Sequence, residues 1–125
     1  MEPLEILNIS HPFIFRTESI QGDYSKLTIQ SITKPKFKLI NNDVVWDIIH
    51  IKFYGDKYTS QLLYNFTQNK PTEFLLDIYN SENKLREQWI VNSFNYSIDF
   101  GKCDYNISES QMITMTISPL KCILN

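Results

Sequence analysis

Glu73-Phe74-Leu75-Leu76-Asp77-Ile78-Tyr79, then Asn80-Ser81-Glu82-Asn83, then Leu85-Arg86-Glu87-Gln88-Trp89-Ile90-Val91 is the stretch that decides the fold. Two runs rich in branched aliphatic and aromatic side chains flank four polar residues of the kind that close a β-hairpin. Toward the C-terminus, Phe94, Tyr96, Ile98 and Phe100 alternate with Asn95, Ser97 and Asp99. Further on, Ile113, Met115 and Ile117 alternate with Met112, Thr114, Thr116 and Ser118. A period of two predicts half-buried antiparallel strands in both places.

Toward the N-terminus the signal changes once. Lys57 to Gln68 reads as the one helix, with Asp56 as its N-cap, Tyr58, Leu62 and Phe66 on one stripe, and Asn69-Lys70-Pro71 as its end. Before it, Val44 to Tyr54 is the longest β-prone run, apolar on both faces, which predicts contact with another element or subunit. Asn41-Asn42-Asp43 is turn chemistry, and Lys36-Phe37-Lys38-Leu39 alternates beyond Pro35 as an edge or a protruding loop. Phe13 to Arg16 and Tyr24 to Thr33 read as strands joined through Gly22-Asp23. The expectation is a mainly β fold: an antiparallel β-barrel or sandwich with one α-helix packed against it.

At 125 residues, with 42% hydrophobic and 14% aromatic residues, the chain has room for one core and composition enough to fill it. Residues 12–125 are expected to form a single domain, and residues 1–11 an arm whose Leu4, Ile6, Leu7 and Ile9 suit docking on a neighbour. Seventeen Ile and no Ala tilt intrinsic preference further toward strands. A net charge of −2 argues against a protein dedicated to gripping nucleic acid. The start Met1-Glu2-Pro3-Leu4 lacks a basic segment followed by an apolar one, and no run approaches eighteen apolar residues, so a soluble protein made in the cytosol is expected.

Chemistry-bearing residues are sparse. His11 and His50 lie in unrelated contexts, and neither shares a metal-ligand spacing with Cys103 or Cys122. Both cysteines are expected reduced, and neither sits in a nucleophile motif. Three glycines, Gly22, Gly55 and Gly101, cannot make a phosphate cradle. The acidic pairs Asp99 with Asp104 and Glu82 with Glu87 fall in turns or on polar strand faces, where solvation explains them. No catalytic, cofactor-binding or metal-binding residue is therefore expected. Lys34-Pro35-Lys36-Phe37-Lys38 is the one basic cluster, and it suits an acidic patch on a neighbouring protein.

Three stretches carry a resemblance to a known family. Val44-Val45-Trp46-Asp47-Ile48-Ile49-His50-Ile51 leads through Tyr54-Gly55-Asp56 into the helix. Asp77-Ile78-Tyr79 and Glu87-Gln88-Trp89-Ile90-Val91 flank a polar turn, and Ser97 to Tyr105 precedes Met112 to Ile117. In this order they resemble the tail tube protein family of contractile-tail bacteriophages, whose fold is shared by type VI secretion tube proteins. The resemblance covers roughly residues 12–120 and implies a structural virion protein without enzymatic activity or cofactor. Six copies would close into a ring that stacks into, or caps, the conduit for DNA ejection, as repeating tube subunit or as a baseplate or neck ring. Partners would be sheath, baseplate or tape-measure proteins, with DNA sliding through a weakly acidic lumen that repels its phosphates. Within that reading Leu4, Ile6, Leu7, Lys34, Lys36 and Lys38 are the candidate interface residues. The alternative is a monomeric β-sandwich binding or adhesion module. A small enzyme is the third reading, and it lacks a convergent polar site.

Overall fold

The computed structural model describes residues 12–102 and 111–125. The arm residues Leu4, Ile6 and Leu7, together with His11, Cys103 and Asp104, lie outside them. Among the described residues ten strands and one α-helix follow in chain order: β1 (Phe13–Arg16), β2 (Ile29–Ile32), β3 (Phe37–Ile40), β4 (Asp43–Trp46), β5 (Ile49–Tyr54), α1 (Lys57–Asn69), β6 (Glu73–Tyr79), β7 (Leu85–Asn92), β8 (Asn95–Asp99), β9 (Met112–Ser118) and β10 (Lys121–Leu124). All strand pairs are antiparallel. The first sheet has the order β1-β6-β7-β10 and the second β2-β5-β9-β8, while among the described residues β3 and β4 pair only with each other.

The hairpin read from residues 73–91 is the centre of the first sheet, with Leu76 opposite Trp89 and Phe74 opposite Val91. Its turn closes as the polar residues require. Asn80 Oδ1 accepts from the backbone amides of Glu82 and Lys84, and Asn83 takes φ +62°. Helix α1 starts where Asp56 accepts from the Thr59 amide at 2.8 Å, a cap worth about 1 kcal/mol. It stops where Lys70 turns left-handed ahead of Pro71.

Both sheets and the helix share one core. Ile49, Ile51 and Phe53 of β5 and Ile113, Met115 and Ile117 of β9 face Phe15 of β1, Phe74 of β6, Val91 of β7 and Leu62, Leu63 and Phe66 of α1. Phe15 stacks on Phe74 at 5.4 Å between ring centroids, Phe66 lies 6.0 Å from Phe74, and Tyr96 meets Phe74 edge-on at 5.1 Å. Phe74 thus ties α1 to both sheets. At the corner where the chain changes sheets, buried Ser93 donates to the Ser118 carbonyl at 2.6 Å and accepts from the Asn95 amide at 3.0 Å. That pair of bonds fixes the β7–β8 and β9–β10 crossings together.

Two readings of the sequence need correction, and one strand has no counterpart among them. Tyr24 to Thr33 is not one strand: Tyr24–Lys26 forms a 3-10 turn capped by Asp23, and β2 begins only at Ile29. Val44 to Tyr54 is not one strand either. It breaks at Asp47-Ile48, β4 belongs to the separate hairpin, and β5 alternates buried with exposed residues, so His50, Lys52 and Tyr54 face outward. Strand β10 carries no clear sequence signal, because its four residues follow Pro119 and take their order from pairing with β7.

Candidate assembly surface

The β3–β4 hairpin is the element that the core does not absorb. Its tip is a two-residue turn with Asn41 at φ +52° and Asn42 at φ +69°, the conformation that matches strand twist and that Asn tolerates. Pairing places Phe37 opposite Trp46 and Leu39 opposite Val44, so these four share one face. Lys38, Ile40, Asp43 and Val45 share the other. The first face is wholly apolar. Trp46 anchors its base, packing edge-on against Trp89 at 6.3 Å and against Phe37 at 5.7 Å, while the Asp47 amide donates to the Lys36 carbonyl at 2.8 Å. Beyond that anchor, Phe37, Leu39 and Val44 are 55%, 63% and 54% exposed. An exposed apolar face of this kind is a candidate interaction surface.

The lysines singled out from sequence behave differently. Lys34 Nζ reaches both carboxylate oxygens of Glu87, at 2.8 and 2.9 Å. With the Trp89 indole N–H also donating to that carboxylate, first the Lys34 hydrogen bond and then the Trp89 bond hold Glu87 below the usual carboxylate range. Lys38 lies 3.9 Å from Asp47. Lys34 therefore ties the approach to the hairpin to β7, whereas the Lys38 contact stays within the hairpin's own base. The residues interleaved with them, Phe37 and Leu39, carry the exposed face. In the alternation Lys36-Phe37-Lys38-Leu39 the apolar positions carry that face.

A second apolar surface lies where α1 ends. A groove of about 360 Å³ is lined by Phe66, Pro71, Phe94, Tyr96, Ile98 and Phe100, with Lys70 at its rim. Phe94, at 76%, is the most exposed large apolar side chain among the described residues, and it also borders a neighbouring cleft with Leu120, Val44 and Trp46. Tyr96 contributes its ring and turns its hydroxyl away to the Pro71 carbonyl at 2.7 Å.

Elsewhere the polar groups are structural. Asp77, buried in β6, accepts from Arg16 Nε and from Gln88 Nε2, both at 2.9 Å. His50 lies exposed on the second sheet with Thr116 Oγ1 3.5 Å away. Cys122 is buried against Val91, and desolvation pushes its thiol up to about 11. Among the described residues no cluster of three or more His, Cys, Asp or Glu is placed to hold a metal, and no helix is long and apolar enough to cross a membrane.

Comparison with known proteins gives one informative likeness. No family model matches the sequence, and no curated protein sequence matches it. The structure is similar to a chain in the cryo-EM structure of the anti-feeding prophage baseplate, 6-fold symmetrised, with a TM-score of 0.54 and 11% sequence identity over 93% of each chain. At that identity the likeness is one of fold: mainly antiparallel β-sheet with one helix. It is a fold also found in a phage-tail-like particle, extending over nearly the whole of both chains.

Proposed function

We propose that this chain is a structural subunit of a contractile-tail-type particle, closing with copies of itself into a hexameric ring at the baseplate end of the tube. The observation that carries this reading is the fold likeness to a baseplate chain across 93% of both molecules, which leaves no large part of either without a counterpart. The exposed hairpin face supports it, because a monomer gains nothing by keeping Phe37, Leu39 and Val44 in water. The sheets end in β1 and β10 and in β2 and β8, and pairing such edges across subunits removes a row of unsatisfied backbone groups. In this reading residues 12–125 are the ring-forming domain, and residues 1–11, with Leu4, Ile6 and Leu7, form an arm that docks on a neighbour. Lys34, Lys36 and Lys38 border the same contact. The role is non-enzymatic. DNA passes through the lumen without being held, and neighbouring tail proteins are the partners.

Negative-stain electron microscopy with light scattering, on purified protein over a concentration series, tests this. Hollow rings that remain single are expected. Rings that grow into long tubes would replace the baseplate assignment with the repeating tube subunit. A strict monomer at the highest concentration would overturn the reading in favour of a monomeric binding module.

A further inference from the structure

The apolar face of the β3–β4 hairpin borders a cleft of its own chain. Val44 and Trp46 line it together with Phe94, Leu120 and Cys122, and its volume is about 600 Å³. A space of that size holds roughly twenty waters at their share of liquid volume. Val44, Phe94 and Leu120 are 54%, 76% and 66% exposed, so these apolar side chains share a cleft without packing on one another. We infer that the hairpin is a strap that closes over this cleft in the unassembled subunit, bringing Val44 and Leu39 against Phe94 and Leu120 of the same chain.

Three observations favour closure by the chain's own hairpin. The hairpin is a separate unit: among the described residues β3 and β4 pair only with each other, and the bond from the Asp47 amide to the Lys36 carbonyl lies at the hairpin's own base. Its anchor is at that base too, where Trp46 meets Trp89. The chain enters through Lys34-Pro35-Lys36 and leaves through Asp47-Ile48, short segments at element ends of the kind that serve as hinges. The tip can therefore swing about the base while both sheets stay intact. The face it presents also matches. Leu39 stands opposite Val44, so a swing that seats Val44 carries Leu39 with it, and both sides of the cleft have apolar surface to remove from water. Lys121, the one charged residue lining the cleft, is exposed and keeps its amine in water beyond an apolar stem. Tethering decides the occupant. A partner from outside has to be captured from solution, whereas the hairpin already stands beside the cleft at a high effective concentration. Closure hides the apolar face until a neighbour displaces the hairpin, and under the self-assembly proposed above this holds free subunits back from association.

The test places Val44→Cys and Phe94→Cys in one chain that also carries Cys103→Ser and Cys122→Ala, with circular dichroism melting to confirm the fold. A disulfide needs its two Cα atoms within about 7 Å, so the link reports closure. Under mild oxidation of dilute protein it should form within single chains, at a rate independent of protein concentration. That rate should be at least about tenfold above the rate of a Lys38→Cys, Phe94→Cys pair, whose hairpin residue lies on the other face. Wild-type protein supplies a second reading without substitution: nuclear Overhauser contacts between the Val44 methyls and the Phe94 ring are expected in the dilute monomer. Equal rates in the two pairs, links formed only between chains, or no contact between the assigned Val44 and Phe94 resonances would overturn the closure. Hollow rings seen alongside that failure would leave the ring assignment standing. A closed strap in a chain that never assembles would leave the closure standing and overturn the ring.

Discussion

Trp46 holds the β3–β4 hairpin to its domain, and Trp46→Ala should release the hairpin without unfolding the core. Trp46 is half-buried, with Trp89 on one side at 6.3 Å and Phe37 on the other at 5.7 Å. Truncating a fully buried Trp or Phe costs about 3–5 kcal/mol, so a half-buried one with two aromatic contacts should cost about 2 kcal/mol. An isolated two-stranded hairpin is marginal in water, so this loss should appear as local opening. A change of about 2 kcal/mol corresponds to roughly 30-fold. Amide hydrogen exchange reads it directly. The Asp47 amide, bonded to Lys36 O, should exchange roughly 30-fold faster, while Ile51 in β5 should stay within about threefold of wild type. Unchanged exchange at Asp47 would refute the anchoring role. An equal acceleration at Ile51 would show that Trp46 belongs to the global core and that the hairpin is not a separate unit.

Further predictions concern the polar and thiol groups. Arg16→Met leaves the buried Asp77 carboxylate with Gln88 as its remaining side-chain donor and should lower unfolding free energy by about 3 kcal/mol in urea denaturation; a loss below about 1 kcal/mol would contradict the pairing. Because Lys34 and Trp89 depress the Glu87 pKa on folding, the stability they lend is fully present at neutral pH and is lost as pH falls below the usual carboxylate range through the folded value. Thermal melts from pH 7 downward should show this loss, and Glu87→Gln should flatten it. With its thiol buried and pushed up to about 11, Cys122 in a Cys103→Ser background should resist a thiol reagent at pH 8 until the protein unfolds; rapid labelling of the folded chain would contradict its placement beneath the sheet.

Much of the fold was legible because its strands bury one face. Met112 to Ser118 and the Glu73 to Val91 hairpin follow period two, and Asp56 with Lys57 to Gln68 follows helical spacing, so local pattern and tertiary burial agree. The misreadings fall where they separate. Val44 to Tyr54 is uniformly β-prone, yet a two-residue break sends its halves to different sheets, a topological choice that composition does not encode. Tyr24 to Lys26 was overridden by the Asp23 cap. β10 is four residues ordered by a neighbour. As for the surface, the hairpin's position was readable from Lys36 to Asp43, but its working face was not. That face depends on register, which places Leu39 opposite Val44 and leaves Lys34 and Lys38 to neighbouring carboxylates. The Phe94 groove was beyond sequence reasoning, because α1, Pro71 and β8 meet there only in three dimensions.

The central claim is that copies of this chain close into a ring. Native mass spectrometry of the purified wild-type protein tests it most directly, since each subunit weighs 14.8 kDa and the spectrum counts them. A dominant species at six subunit masses, rising with concentration at the expense of the monomer, is the result predicted. Monomer alone at every concentration, in a sample whose amide exchange shows a folded core, would contradict it.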